Sequence, residues 1–326
     1  MNTQNGFLFL TSPTRSALLR AVTLASVVAV FLGNRTVGFT QDALPYLQTQ
    51  DVVYGEVHGT GLLMDVFAPK TATNGLGIID VASGAWHSDR SKIRDHSLAQ
   101  MFQIYCARGY TVFAIRPGSK TRYTILDMDA HLKIGIRFVK EHATQYHIDP
   151  DRLGMTGASA GGHLATLAAL TATPSKPEAK KAKDRIGTSV KAVAVFFPPT
   201  DLAEWEVGKP TDPELLRSLL YLPGAAPTDL EEVMKAARAA SPLMHVEKTD
   251  TPFFLIHGNA DNVVPLSHSQ RLVDAMKKAG NTVEIQIKEG GGHAWLTMAE
   301  EVRTMATWFD KQLGNTQTPP SASQTK

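Results

Sequence analysis

The sequence predicts an α/β fold: a mostly parallel eight-stranded sheet with helices on both faces and a small helical cap insertion. Three observations predict it. Eight short runs rich in β-branched and aromatic residues alternate with longer runs whose apolar residues recur at helical spacing, the pattern of strands joined by crossover helices. The first two β-rich runs follow one another directly through His58-Gly-Thr-Gly61, which reads as a hairpin and supplies an antiparallel edge. One interval, 198–251, carries helical patterns but no convincing strand.

Taken in order, residues 52–57 and 62–67 are the hairpin strands and 77–82 is a third strand. A helix over 97–108 ends at Gly109, and 110–115 returns to strand. Leu126, Ala130, Ile134, Phe138 and His142 share one face of a helix over 125–146. A strand at 152–156, a helix at 159–170 and a strand at 190–196 follow. Within 198–251 the helical stretches are 213–220 and 228–240, the second Ala-rich and amphipathic. An insertion between two strands reads as a cap over the C-terminal edge of the sheet. Strands at 253–257 and 282–287 and helices at 267–278 and 295–313 complete the alternation.

Of 326 residues, 43% are hydrophobic, 20% are charged and the net charge is +2. That balance supports a large core, and the scattered Lys and Arg form no basic stripe, which argues against nucleic acid as a partner. Arg15 and Arg20 precede a charge-free apolar run over 21–33. The run is short of the roughly 20 residues of a membrane span and suits a signal peptide. Thr36-Val-Gly38 is a weak cleavage site. Residues 1–40 are therefore expected to export the protein to the periplasm or medium, leaving no stable membrane span in the mature form; an uncleaved anchor is the alternative. Residues 41–313 make one large domain and 314–326 a polar tail without periodicity. The single cysteine, Cys106, lies in an apolar helical stretch and reads as a small core residue. No Cys-x-x-Cys or His-Glu-x-x-His spacing supports a metal, no cofactor is called for, and no feature sets an oligomeric state.

The strongest chemical signal is Thr156-Gly157-Ala158-Ser159-Ala160-Gly161-Gly162-His163. Gly-x-Ser-x-Gly between a strand and a helix places a serine on a sharp, strained turn that lifts its hydroxyl above the sheet. The following helix offers its positive end to developing negative charge. A serine hydroxyl needs a base. Of the 11 histidines, His293 stands in a glycine-rich loop, Gly290-Gly-Gly-His293, between the last strand and the last helix. His142 and His147 lie near a helix end and His58 in a turn, while His163 is expected to pack behind the serine. The base needs an orienting carboxylate, and Asp261 sits in the loop leaving a buried strand, with Asp201 and Asp250 as less well placed candidates. The order Ser159, Asp261, His293 is that of the α/β-hydrolase fold. About two backbone N–H groups must hold the oxyanion: the amide of Ala160 and one from Ala82-Ser-Gly-Ala-Trp86-His87 after the third strand. Trp86, His87, Trp205 and Tyr221 are candidate pocket walls, with ordinary packing an equal alternative for each.

The chain resembles the esterase/lipase branch of the α/β-hydrolases, near the hormone-sensitive-lipase-like and bacterial feruloyl- or acetyl-esterase-like enzymes. The resemblance rests on Leu63-Met-Asp-Val-Phe-Ala-Pro69, His147-Ile-Asp-Pro-Asp-Arg-Leu-Gly154, Gly161-Gly-His-Leu-Ala165, His257-Gly-Asn-Ala-Asp261 and Gly292-His293. It implies a serine carboxylic-ester hydrolase with a Ser159-His293-Asp261 triad and an acyl-enzyme. Where such enzymes often carry His-Gly-Gly-Gly-Trp, this chain has Ala82, Ser83, Gly84, Ala85 and Trp86, so Gly84 and Ala85 are the expected loop donors. Arg116-Pro-Gly-Ser119 replaces the usual Tyr-Arg-Leu. The implied substrates are small acyl or aryl (feruloyl) esters, acetyl esters, or esters linked to polysaccharide. Two rival readings are a prolyl-oligopeptidase-type exopeptidase, for which no N-terminal propeller is present, and an inactive hydrolase fold that only binds.

Overall fold

The computed structural model describes residues 44–181 and 184–316. The leader read at 1–40 and the tail beyond residue 316 lie outside them.

Eight strands form one sheet: β1 (Tyr46–Val57), β2 (Thr60–Pro69), β3 (Gly77–Val81), β4 (Thr111–Arg116), β5 (Leu153–Ala158), β6 (Ala192–Phe196), β7 (Phe253–Gly258) and β8 (Val283–Lys288), in the order β1-β2-β4-β3-β5-β6-β7-β8. The hairpin β1-β2 and its pairing with β4 are antiparallel, and every later pairing is parallel. Each expected strand is present, and β1 begins at Tyr46, before the expected residue 52. Its register shifts between Thr49 and Val52, which breaks the alternation that would have marked the earlier start.

Alternation along the parallel strands divides the core in two. Ile79, Val81, Val193 and Val195 face one layer, with Leu132 and Ile136 of α3 (Ile125–Glu141), Leu164 and Leu167 of α4 (Ala160–Leu170), and Leu272 and Met276 of α7 (Ser267–Lys278). Ile78, Ala192, Ala194 and Phe196 face the other, with Phe102 and Tyr105 of α2 (Met101–Ala107) and Val302, Met305 and Phe309 of α8 (Met298–Leu313). Successive side chains of a strand point to opposite faces, so fully apolar strands must be covered on both sides.

The helix expected over 97–108 is two helices, α1 (Arg90–Leu98) and α2, broken where Gln100 adopts φ 59°. α1 buries only Ile93 and His96, so it carries no apolar period to read. Asp89 caps it by accepting from the Ser91 amide. α3 starts at a capping box between Thr124 and Asp127 and stops at Glu141, five residues before the expected end. The insertion holds α5 (Pro213–Leu220) and α6 (Leu230–Ala239), capped by Asp212 and Asp229. Leu216, Leu219, Val233 and Ala237 join the α3–α4 layer. Its 203–211 loop reaches the C-terminal edge of the sheet, where the Trp205 indole donates to the Val263 carbonyl at 3.2 Å.

Candidate active site

Ser159, Asp261 and His293 leave the C-terminal ends of β5, β7 and β8, which the parallel run β5-β6-β7-β8 brings to one edge of the sheet. Ser159 takes φ 53°, ψ −121°, a strained conformation for a residue with a side chain. Its amide donates to the Phe196 carbonyl at 3.0 Å, and its carbonyl accepts from the His163 amide at 2.8 Å. The two flanking glycines are required by space: a Cβ on Gly157 would lie 2.6 Å from the Gly161 backbone, and one on Gly161 would collide with the Val81 carbonyl oxygen.

The three residues form one continuous hydrogen-bonded line. A carboxylate only accepts, so His293 Nδ1 carries the proton and donates to Asp261 Oδ2 at 2.8 Å. His293 Nε2 then offers its lone pair to the Ser159 hydroxyl, with Oγ at 2.9 Å. Asp261 Oδ1 accepts from the amides of Val263 (2.8 Å) and Val264 (2.9 Å). Burial alone would raise this carboxyl, but His257, His293 and the Val264 amide hold it far below the usual carboxylate range. It therefore faces His293 as an anion.

His257 is a support that the sequence reading did not assign. Its Nε2 donates to the Val264 carbonyl at 2.9 Å and lies 3.4 Å from Asp261 Oδ2, while Nδ1 accepts from Ser269 Oγ at 2.8 Å. Phe197 is another: its ring centroid lies 4.6 Å from that of His293, on a backbone with φ 34°. The acid and base loops are joined by Ala260 N–H to Gly291 O (2.9 Å) and Gly290 N–H to Asn259 Oδ1 (2.8 Å). Trp295 anchors the base loop through its indole N–H to Glu301 Oε2 at 2.8 Å.

The loop after β3 makes a tight turn in which Gly84 N–H donates to His87 O and His87 N–H to Gly84 O, both at 2.9 Å. Ala85 (φ 48°) and Trp86 (φ 56°) are both left-handed, the geometry of a type I′ turn that ordinarily takes Asn or Gly. Each such residue costs about 1–2 kcal/mol. The expectation for Gly84 is corrected here: its N–H already serves the His87 carbonyl, because the turn closes on itself. Among the described residues, the amides of Ala85 and Ala160 have no protein acceptor. Trp86 is buried, with its indole N–H on His163 Nδ1 at 3.1 Å. Of the other expected walls, Trp205 and Tyr221 are bonded to Val263 O and Glu232 O. Asp201 pairs with Arg271 at 2.9 Å and caps the 203–204 turn, whereas His293 bonds to Asp261. Cys106 is buried, and burial pushes its thiol up, which leaves it inert as a nucleophile.

Residues 64–276 match the BD-FAE family model. The chain belongs to the BD-FAE family. The matched stretch includes Ser159 and Asp261, whereas His293 lies beyond it. This BD-FAE member is 28% identical over 236 residues to a Mycobacterium tuberculosis protein named probable carboxylic ester hydrolase LipM, covering 72% of this chain and 52% of the relative. It thus spans about half the length of that relative. A truncated carbohydrate esterase from gut microbiota superposes with a TM-score of 0.70 at 26% identity, covering 83% of this chain and 98% of that one. Thermogutta terrifontis esterase 2 superposes with 0.64 at 25% identity, covering 82% and 96%. Both share the α/β-hydrolase architecture expected from the sequence.

Proposed function

We propose that the protein is a serine carboxylic-ester hydrolase working through an acyl-enzyme, with Ser159 as nucleophile, His293 as base and Asp261 as the orienting acid. The observation that carries this reading is the unbroken line Asp261–His293–Ser159 at 2.8 and 2.9 Å on a strained elbow. In the first half-reaction Ser159 Oγ attacks the ester carbonyl carbon as its proton moves to His293 Nε2. The developing imidazolium is stabilised by the ionised Asp261, and the oxyanion by the Ala160 and Ala85 amides. His293 then returns the proton to the leaving alkoxide, and the C–O bond breaks to release the alcohol. A water gives its proton to the same nitrogen and attacks the acyl carbon, and His293 then returns that proton to Ser159 Oγ as the acyl–oxygen bond breaks and the acid leaves.

Short-chain acyl, acetyl and aryl or feruloyl esters, free or carried on polysaccharide, are the substrate classes this reading favours. The likeness to a carbohydrate esterase supports the last. We further infer that the 198–251 insertion caps the site from the Trp205 side, and that residues 1–40 direct the chain out of the cytoplasm. Among the described residues no helix is long and apolar enough to cross a membrane.

The test is hydrolysis of p-nitrophenyl acetate, butyrate and octanoate by the purified protein beside Ser159→Ala. Turnover that disappears in the variant supports the reading, and the chain-length profile reports pocket depth. A folded wild type that hydrolyses none of these, nor feruloyl or acetylated sugar esters, overturns it.

A further inference from the structure

Trp86 and His163 are both buried, and the reaction as described uses neither. Their contact is directional. An indole N–H can only donate, so His163 Nδ1 is the acceptor at 3.1 Å and its proton sits on Nε2. Nε2 in turn donates to the Ala240 carbonyl, at the end of α6, at 2.8 Å. The rings meet edge to face at 5.5 Å. Burial lowers the imidazole to about 4, which keeps Nδ1 free to accept across the neutral range.

The place of this contact gives it a role. Trp86 is the second left-handed residue of the Gly84–His87 turn, and Ala85, its neighbour, carries the unbonded amide. A turn made of two strained non-glycine residues does not hold its shape by local preference; it must be held from outside. Two backbone bonds grip its flanks, Gly161 N–H to Ser83 O at 3.0 Å and Lys120 N–H to Trp86 O at 2.8 Å. The third grip is the His163 ring. His163 stands on α4, one turn after Ser159, on the same helix whose first residue, Ala160, supplies the other unbonded amide. The Trp86–His163 bond therefore joins the elements that carry the two amides.

We propose that His163 is a positioning residue that sets the Ala85 amide relative to the Ala160 amide by holding the Trp86 indole on Nδ1. Its Nε2 ties the same ring to the end of the insertion. The inference rests on the esterase reading, in which those two amides receive the oxyanion.

Three variants separate this role from packing. Trp86→Phe keeps an aromatic ring but removes the N–H together with part of the indole, so its packing cost is read from the thermal midpoint. An asparagine amide occupies the place of Nδ1 and a glutamine amide that of Nε2, so His163→Asn retains the acceptor for Trp86 and His163→Gln retains the bond to Ala240. Steady-state kinetics on p-nitrophenyl acetate and thermal midpoints are measured for each. Removing a whole oxyanion donor typically lowers kcat about 10²- to 10³-fold, and here the donor is loosened rather than lost. Trp86→Phe and His163→Gln should each lower kcat about 10- to 100-fold with KM changed less than about threefold. The double variant should be no worse than either single one, and His163→Asn should recover most of the loss. Trp86→Phe with wild-type kcat overturns the proposal, and so does a loss shared equally by Asn and Gln that follows the thermal midpoint. Failure of the esterase reading looks different: the wild type itself then neither turns over ester nor takes up a fluorophosphonate on Ser159.

Discussion

His268 offers a quantitative test of how the elements around the site are held. Its Nδ1 accepts from two backbone amides, Thr200 at 3.1 Å and Asp201 at 3.3 Å. The proton therefore sits on Nε2, which is buried without a hydrogen-bond partner. A second proton would have to enter at Nδ1, against two N–H groups. Burial, helped by the nearby Arg271 charge, depresses the imidazole to about 3. The sign follows from linkage. An unfolded histidine takes up its proton near pH 6.5, whereas the folded one stays neutral down to about 3, so the unfolded state binds more protons and stability falls with falling pH. The slope approaches about 1.4 kcal/mol per pH unit once the unfolded histidine is protonated, and the loss between pH 7 and 4.5 amounts to about 2.5 kcal/mol. That loss depends on the unfolded value far more than on how far below 4.5 the folded one lies. His163, lowered to about 4, acts in the same direction. His96 acts in the opposite one: burial would lower it, but Asp80 at 2.7 Å raises it, so its stabilisation grows as the pH falls. A difference measurement isolates the His268 contribution. His268→Asn keeps an acceptor for both amides and removes the titrating ring. Urea unfolding followed by circular dichroism should find the variant less stable than wild type at pH 7. The gap should close by about 2.5 kcal/mol at pH 4.5. Parallel stability curves across that range would refute the reasoning.

Asp261→Asn should lower kcat about 10⁴-fold while leaving ester binding nearly unchanged, because an amide can stabilise the wrong His293 tautomer; steady-state kinetics check it. Ala85→Gly removes the strain at φ 48° without removing a backbone donor, and the gain in left-handed freedom outweighs the added unfolded-state entropy. It should gain about 0.5–1 kcal/mol in urea unfolding with kcat retained. Gly161→Ala drives a methyl into the Val81 carbonyl. It should cost about 3 kcal/mol or more and reduce kcat sharply; a wild-type thermal midpoint would refute the crowding argument.

The hydrogen-bonded line Asp261–His293–Ser159 was legible because each member carries a signal of its own. The elbow is marked by glycines that nothing else could replace, Asp261 follows a run of buried residues, and His293 sits among three glycines. The supports were not legible. His257 and Phe197 read as ordinary ends of buried strands, and their roles exist only once β6, β7 and β8 lie side by side. Gly84 was expected as a donor beside Ala85, yet the turn that forms directs its N–H to His87. α1 escaped notice because Arg90, Ser91, Lys92, Arg94 and Asp95 leave it nearly without apolar residues, and its hold on the sheet is polar, through the His96 bond to Asp80. The insertion helices were legible at nearly their true bounds, since Asp212 followed by Pro213 and Asp229 followed by Leu230 mark helix starts.

The three triad residues differ in how deeply their strands sit in the sheet. Ser159 follows a strand with neighbours on both sides, while His293 follows β8, an edge strand and only partly buried. Edge elements open at lower free energy than the centre of a sheet. Mild heat or denaturant can therefore swing the base away while the elbow and most of the helices remain intact. On the esterase reading, activity is a gauge of this least secure edge, and it should fade before circular dichroism records any unfolding.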